Sequence, residues 1–304
     1  MRRYLARVAR WIVNKCCPAL YRDLRLAEYA KQWLLPRPSP NADNYVPSHL
    51  IGCQPRLLSV EEQLKRLRAW KDAQHQELYR QLRNDSRINT GFLGRSWLGG
   101  SALHNGYYPT PDAEIYASMI LDLQPDRIVE VGSGFSTLIA RRAIGYAGLG
   151  TRLTVIDPAP RTEVEGVADE VIRRPVEESG LCEREWGEED MLFIDSSHVT
   201  RARGDIPYLF CRLIPKLPPR VCVHVHDVFI PWDYPTNYDA FCYSEQYVLY
   251  ALLAGTAKYR TLLSTHYLSR QHSAQMQELF GPLAARDALF FGASFWFRVG
   301  ADAA

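Results

Sequence analysis

The chain has 304 residues, 47% hydrophobic and 23% charged, which is material for one large folded domain or a domain with an extension. Its 36 basic and 34 acidic residues leave a formal net charge of +2, which excludes a surface committed as a whole to nucleic acid or to an anionic membrane. The seven cysteines, at positions 16, 17, 53, 182, 211, 222 and 242, are odd in number and contain no Cys-x-x-Cys pair. They point to neither a disulfide framework nor a zinc site and fit a reducing, cytoplasmic setting. Every apolar run is interrupted before the roughly 18 residues that a membrane span needs, so no transmembrane segment is expected.

Residues 1–15 carry Arg2, Arg3, Arg7, Arg10 and Lys15 without an acid. On a helix, Leu5, Val8 and Ile12 would face away from Arg3, Arg7 and Arg10. Such a basic amphipathic helix reads either as a peripheral membrane or partner contact, or as a helix packed on the body with its arginines in water. The apolar stretch Trp11–Val13 is too short for the core of a secretory signal. Residues up to about 35 read as helical, and Pro36-Arg-Pro-Ser-Pro40 with Asn41-Ala-Asp-Asn44 reads as a linker. Residues 60–83 are rich in Glu, Gln, Lys, Arg and Leu, and Leu64, Leu67 and Trp70 are spaced as the buried stripe of a helix. Residues 1–95 are therefore expected to form a helical N-terminal extension, and residues 96–304 a separate α/β domain.

From about residue 96 apolar strands alternate with helices, the pattern of a mostly parallel sheet covered on both faces. Strands are expected at Arg127–Val131, Arg152–Ile156, Val171–Arg173, Met191–Ile194, Val221–Val225, Tyr259–Leu263 and Ser294–Val299. Seven strands ending in a C-terminal pair indicate a Rossmann-like, seven-stranded, mostly parallel sheet flanked by helices rather than a six-stranded dinucleotide domain. No internal repeat or low-complexity tract interrupts it.

Ligands of open α/β sheets bind beyond the carboxyl ends of the strands. The first strand runs into Glu130-Val-Gly132-Ser133-Gly134, where the glycines permit a tight turn and close backbone approach, and Ser136-Thr137 can cap the next helix. The second strand ends at Asp157, an acid able to accept hydrogen bonds from a ribose diol. Thr137 stands where a dinucleotide fingerprint has its third glycine, which favours a nucleoside cofactor without a diphosphate. The plain structural alternative is an ordinary strand-to-helix turn followed by a capping aspartate.

These segments, with the strand ends at Asp195 and Asp227, resemble the class I S-adenosylmethionine-dependent methyltransferases. More narrowly, Phe193-Ile-Asp-Ser-Ser-His198 and His226-Asp227 resemble a bacterial group of small-molecule methyltransferases. The likeness runs from about Asn105 to Val299, taking in Tyr243-Ser-Glu-Gln-Tyr247 and Ser294-Phe-Trp296, and does not cover the first 95 residues. It implies that 96–304 is the methyltransferase domain, that Glu130, Gly132, Ser133, Gly134 and Asp195 line the S-adenosylmethionine pocket, and that Asp157 holds the ribose.

At the reacting end, the topology should bring Asp195, His198, His226 and Asp227 to one sheet edge. Neighbouring carboxylates repel unless a cation or proton lies between them, and such oxygen ligands suit Mg2+ or Mn2+. Asp195 and Asp227 are therefore the candidate metal ligands. His198 is the candidate base for O-methyl transfer to a small molecule or glycan, with His226 as the alternative base in a metal-free route. Val228 departs from the resemblance, because metal-dependent relatives carry a further ligand there. His224 reads as a structural histidine, Asp205 as a helix-start residue, and Glu245 as a substrate contact or the start of a helix. The aromatic run Phe229–Tyr243 reads as a substrate wall or as a loop packed on itself. The rival functions are a nicotinamide oxidoreductase, a non-haem iron oxygenase using His198, His226 and one aspartate, and a non-catalytic scaffold docked through the N-terminal helix.

Overall fold

The computed structural model describes residues 59–90, 102–103, 105–160, 162–235, 238, 241–281 and 292–300. The expectations for the basic helix at 1–15 and the linker at 36–44 lie outside these residues. Helices α1 (Val60–Ala69), α2 (Ala73–Asn84) and α3 (Asp112–Leu123) precede the sheet. Strands β1 (Arg127–Val131), β2 (Arg152–Ile156), β3 (Glu170–Ile172), β4 (Met191–Ile194) and β5 (Cys222–Val225) follow, with α4 (Phe135–Ala147) between the first two. The chain closes with α5 (Glu245–Ala254), β6 (Tyr259–Ser264), α6 (Thr265–Gln271), α7 (Ser273–Phe280) and β7 (Phe295–Val299).

The seven strands form one sheet in the order β3-β2-β1-β4-β5-β7-β6. All pair in parallel except β7, which runs antiparallel to both β5 and β6. This is the Rossmann-like α/β fold expected from the strand pattern, with strand bounds shifted by no more than one residue. Strand order reverses between β1 and β4, and the crevice at that switch point is where this architecture places its ligand.

Period-two alternation divides each strand between two apolar layers. Ile128, Met191, Phe193, Cys222 and Trp296 face a layer containing α3, α4 and the apolar sides of α1 and α2. Val129, Leu192, Ile194, Val223, Val225 and Phe297 face the opposite layer, with Leu209, Phe210 and Leu213 of the π-helical segment Pro207–Leu213. Full burial of a side chain such as Phe193 or Phe297 stabilises by about 1.5–3 kcal/mol relative to exposure. Helix α3 lies so deep that every residue from Asp112 to Leu121 is buried.

The single helix expected over 60–83 is two helices, broken at Trp70–Asp72. The break is local: Asp72 caps α2 by accepting the backbone N–H of His75 at 2.8 Å. Leu67 and Trp70 are buried against the domain, and the Trp70 indole donates to Asp122 of α3 at 2.9 Å. No helix among the described residues is long and apolar enough to cross a membrane.

Candidate active site

The glycine turn after β1 is shaped by one steric demand. Gly132 has φ +86°, and a Cβ there would lie 1.9 Å from the carbonyl oxygen of Asp195. Only glycine lets the turn after β1 pass against the end of β4. The Gly132 N–H donates to Ile156 O at 3.0 Å and the Asp195 N–H to Val131 O at 2.8 Å, so β1, β2 and β4 remain bonded to their last residues.

A cavity of about 320 Å³ opens at these ends, lined in part by Gly132, Ser133, Asp157, Val176, Asp195 and Ser197. Ser133 Oγ donates to Asp157 at 2.7 Å, and the other Asp157 oxygen accepts Ala159 N–H at 2.8 Å. Each carboxylate oxygen has two acceptor sites, so Asp157 keeps capacity for further donors. Four of the six residues expected to hold the cofactor, Gly132, Ser133, Asp157 and Asp195, line this cavity; Glu130 and Gly134 are not among its lining.

Glu130 is fully buried beneath the turn. It accepts Tyr116 Oη of α3 at 3.0 Å and Thr137 Oγ1 of α4 at 2.6 Å, while Thr137 accepts the Gly134 N–H at 3.2 Å. Thus Thr137 ties the turn to the strand. Burial, opposed by these hydroxyls, pushes the Glu130 carboxyl up to about 7. Its folded-state value lies above its unfolded value, so the folded chain binds the extra proton and stability falls as pH rises from about 4.5 through 7. Glu130→Gln is expected to raise the unfolding free energy by up to about 3 kcal/mol at pH 8 and to leave it nearly unchanged at pH 4.5. Thermal melts at both pH values check this; an equal change at the two would refute the assignment.

Beyond β4 and β5 the chain gathers acids and imidazoles. His198 Nε2 lies 3.2 Å from Asp195 Oδ1 and 3.6 Å from Asp227 Oδ2. His226 Nδ1 lies 3.4 Å from Asp195 Oδ1 and 3.9 Å from Asp227 Oδ1, and its Nε2 is 3.8 Å from Asp112. His198 Nδ1 pairs with Glu245, whose side chain is fully buried. The structure thus brings together all four residues expected at the reacting end. His198 and Asp227 both adopt left-handed backbone conformations, with φ of 59° and 56°. Histidine and aspartate are among the non-glycine residues that enter this region most readily.

The electrostatics follow from this packing. Burial disfavours charge on His198, but Glu245, Asp195 and Asp227 outweigh it and raise the imidazole well above its ordinary value. His226 is raised for the same reason, chiefly by Asp227 and Asp195 against its burial. Burial works against ionised Asp195, yet His226 and His198 hold it well below the usual carboxylate range. Glu245 is pushed up to about 7 by burial, with His198 opposing. Four carboxylates (Asp112, Asp195, Asp227 and Glu245) face two imidazoles, and no Lys or Arg pairs with these four among the described residues.

A divalent cation fits this arrangement. Ligand atoms of Asp195, His198 and Asp227 all lie within 4.8 Å of one another. Adjacent ligands of an octahedral ion bound at about 2.1 Å are separated by about 3 Å, close to the 3.2 and 3.6 Å found here. His226 Nδ1 is buried without a hydrogen-bond partner.

His224 lies in the core instead, stacked on Trp296 at 4.2 Å; burial and the neighbouring His226 hold it well below its ordinary pKa. Asp205 opens the helical segment as expected, and also accepts Ser197 N–H at 2.7 Å and Ser197 Oγ at 2.8 Å, bracing the loop after β4. Phe229, Tyr234, Tyr238, Phe241 and Tyr243 pack ring against ring. Tyr243 lies against the His198 ring with centroids 4.4 Å apart, and Tyr238 donates to Asp227 at 3.1 Å. The aromatic segment is therefore both self-packed and a wall of the acid–imidazole cluster. Sequence reasoning missed Asp112 and Val176 as parts of the site. Asp112 begins an apolar helix about 80 residues before β4, and no local motif marks either residue.

Residues 129–228, about a third of the chain, match the family described as Methyltransferase domain (Methyltransf_24). The matched span contains the glycine turn, Asp157, Asp195, His198, His226 and Asp227, and it supports a methyltransferase as the enzyme class. No curated protein matches the chain. Among solved structures, SAH-bound methyltransferase PaMTH1 of Podospora anserina is 17% identical, with TM-score 0.39, covering 62% of this chain and 78% of its own. A Klebsiella pneumoniae protein provisionally described as an O-methyltransferase is 15% identical, with TM-score 0.42, covering 76% and 91%. Cofactor-bound Rv0187 from MTB is 14% identical, with TM-score 0.40, covering 87% and 99%.

Proposed function

We propose that this chain is an S-adenosylmethionine-dependent O-methyltransferase acting on a hydroxyl of a small molecule or glycan, with residues 96–304 as its catalytic unit. The observation that carries the reading is the position of Asp195: it lines the cavity beyond β1, β2 and β4 and also belongs to the acid–imidazole cluster. A donor in the cavity and an acceptor at the cluster would meet across this residue.

The cofactor supplies an electrophilic methyl carbon, whose C–S bond breaks as the O–C bond forms and S-adenosylhomocysteine is left. On the protein side, the Gly132 turn admits the cofactor close to the backbone, Ser133 steadies Asp157, and Asp157 accepts the ribose hydroxyls. Glu130 and Gly134, joined through Thr137, support the turn that forms this pocket. Asp195 and Asp227 would hold Mg2+ or Mn2+, an ion that would lower the pKa of the acceptor hydroxyl. His198 or His226 would take the hydroxyl proton only after the proton that the neighbouring carboxylates favour on it has left, and the same carboxylates then stabilise the imidazolium that forms. The aromatic side chains around Tyr238 and Tyr243 offer flat apolar faces with polar tips to the acceptor.

Titration calorimetry tests the reading. Binding of S-adenosylhomocysteine with no heat from NAD(H) is expected, and the reverse would sink it. Asp157→Ala is expected to weaken S-adenosylhomocysteine ten- to a hundredfold, since hydrogen bonds to a charged group are worth about 1.5–3 kcal/mol. Unchanged affinity would remove Asp157 from the ribose site.

A further inference from the structure

The two imidazoles of the cluster are held in different ways, and this difference separates their roles. His198 is gripped on every side but one. Its Nδ1 pairs with Glu245, its carbonyl accepts Ser244 N–H at 2.8 Å and Glu245 N–H at 3.2 Å, and Thr200 N–H is tied to Ser244 Oγ at 2.8 Å. Tyr243 covers the ring. The start of α5 thus clamps His198 and leaves only Nε2 directed toward Asp195 and Asp227. His226 is held differently: Tyr108 packs on its ring with centroids 4.7 Å apart, its Nδ1 stands 3.4 Å from Asp195 outside good hydrogen-bond geometry, and its Nε2 stands 3.8 Å from Asp112.

We propose that His198 is a metal ligand rather than the base, completing with Asp195 and Asp227 a site for one divalent transition-metal ion, and that Glu245 is the positioning residue that fixes the imidazole for this purpose. The inference rests on the methyltransferase reading only for the use of the ion, not for its existence. A metal-bound histidine donates its other ring N–H to a carboxylate or carbonyl, which sets the tautomer and raises ligand basicity. Glu245 accepts from Nδ1 in that manner, so the lone pair of Nε2 is presented to the cation once the proton shared with Asp195 departs. Two carboxylates and an imidazole favour Mn2+ or Fe2+ over Mg2+, which prefers oxygen alone. The composition of the cluster agrees: its carboxylates, Asp112, Asp195, Asp227 and Glu245, outnumber its two imidazoles. With His198 engaged, His226, once its own proton has left, is the imidazole remaining to receive the acceptor proton.

The test uses the full chain and Mn2+ alone, read by electron paramagnetic resonance with electron spin-echo detection of nitrogen. One Mn2+ with imidazole nitrogen coupling is expected. His198→Gln should erase the coupling and weaken Mn2+ ten- to a hundredfold. Glu245→Ala should weaken Mn2+ by a similar factor, while Glu245→Gln, which retains an acceptor for Nδ1–H, should restore most of the affinity. S-adenosylhomocysteine affinity, measured in parallel, should be unchanged in all three and reports that each variant is folded. Mn2+ bound without nitrogen coupling, coupling that survives His198→Gln, or no Mn2+ binding by a wild-type protein that binds S-adenosylhomocysteine would each overturn the proposal. Mn2+ binding with the expected coupling but no S-adenosylhomocysteine binding would instead overturn the methyltransferase reading and leave the metal site standing.

Discussion

Asp227→Asn is expected to lower turnover at least about a hundredfold while S-adenosylhomocysteine binds within a fewfold of wild type. The size follows from what the substitution removes. Asp227 faces both imidazoles and accepts Tyr238 Oη, so the change deletes a charged ligand for the cation and part of the field that stabilises protonated His226. Proton transfer by a positioned base is commonly worth a hundred- to ten-thousandfold, and charge stabilisation by a metal several kcal/mol. Asp227 is outside the cavity lining, which is why cofactor affinity should survive. Release of S-adenosylhomocysteine, with an acceptor that the wild type turns over, measures the first quantity, and calorimetry the second. Near wild-type turnover would remove the cluster from the chemistry.

Gly132→Ala should have the largest effect on the cofactor. A methyl group 1.9 Å from Asp195 O cannot be accommodated by side-chain motion, because the obstacle is backbone, and φ of +86° adds a conformational penalty. Either β4 shifts, displacing Asp195, or the turn withdraws from the cavity. S-adenosylhomocysteine affinity is expected to fall at least about a hundredfold, with a lowered melting temperature. Gly134→Ala is the contrast: a Cβ there meets nothing within 4 Å, so only the cost of its φ of 152° remains. A Gly132→Ala protein with wild-type affinity and stability would show that the turn is not the cofactor cradle.

Much of the fold could be read from local pattern. Strands buried on both faces appear as short apolar runs, and the bounds of β1, β2 and β4 agree with the sequence reading to the residue. The break between α1 and α2 was less visible, since the stripe of Leu64, Leu67 and Trp70 continues into residues that also favour helix. At the site, the acids and histidines just past β4 and β5 were legible because parallel strands all deliver their carboxyl ends to one edge. Glu130 was legible as part of the turn, but its place beneath the turn depends on Tyr116 and Thr137 reaching it from two helices.

The order and type of elements and the set of chemically capable residues at the strand ends follow from periodicity and turn chemistry, which act over a few residues. Which of those residues act on one another depends instead on how whole elements pack. The β3-β2-β1-β4-β5-β7-β6 order sets β4 beside β1 and β5, so that Gly132 meets Asp195 and Asp195 meets both histidines. Glu245, nearly 50 residues beyond His198, reaches it only because the first turn of α5 folds back over the end of β4. Contacts of that range depend on packing of whole elements, and no spacing along the chain encodes them.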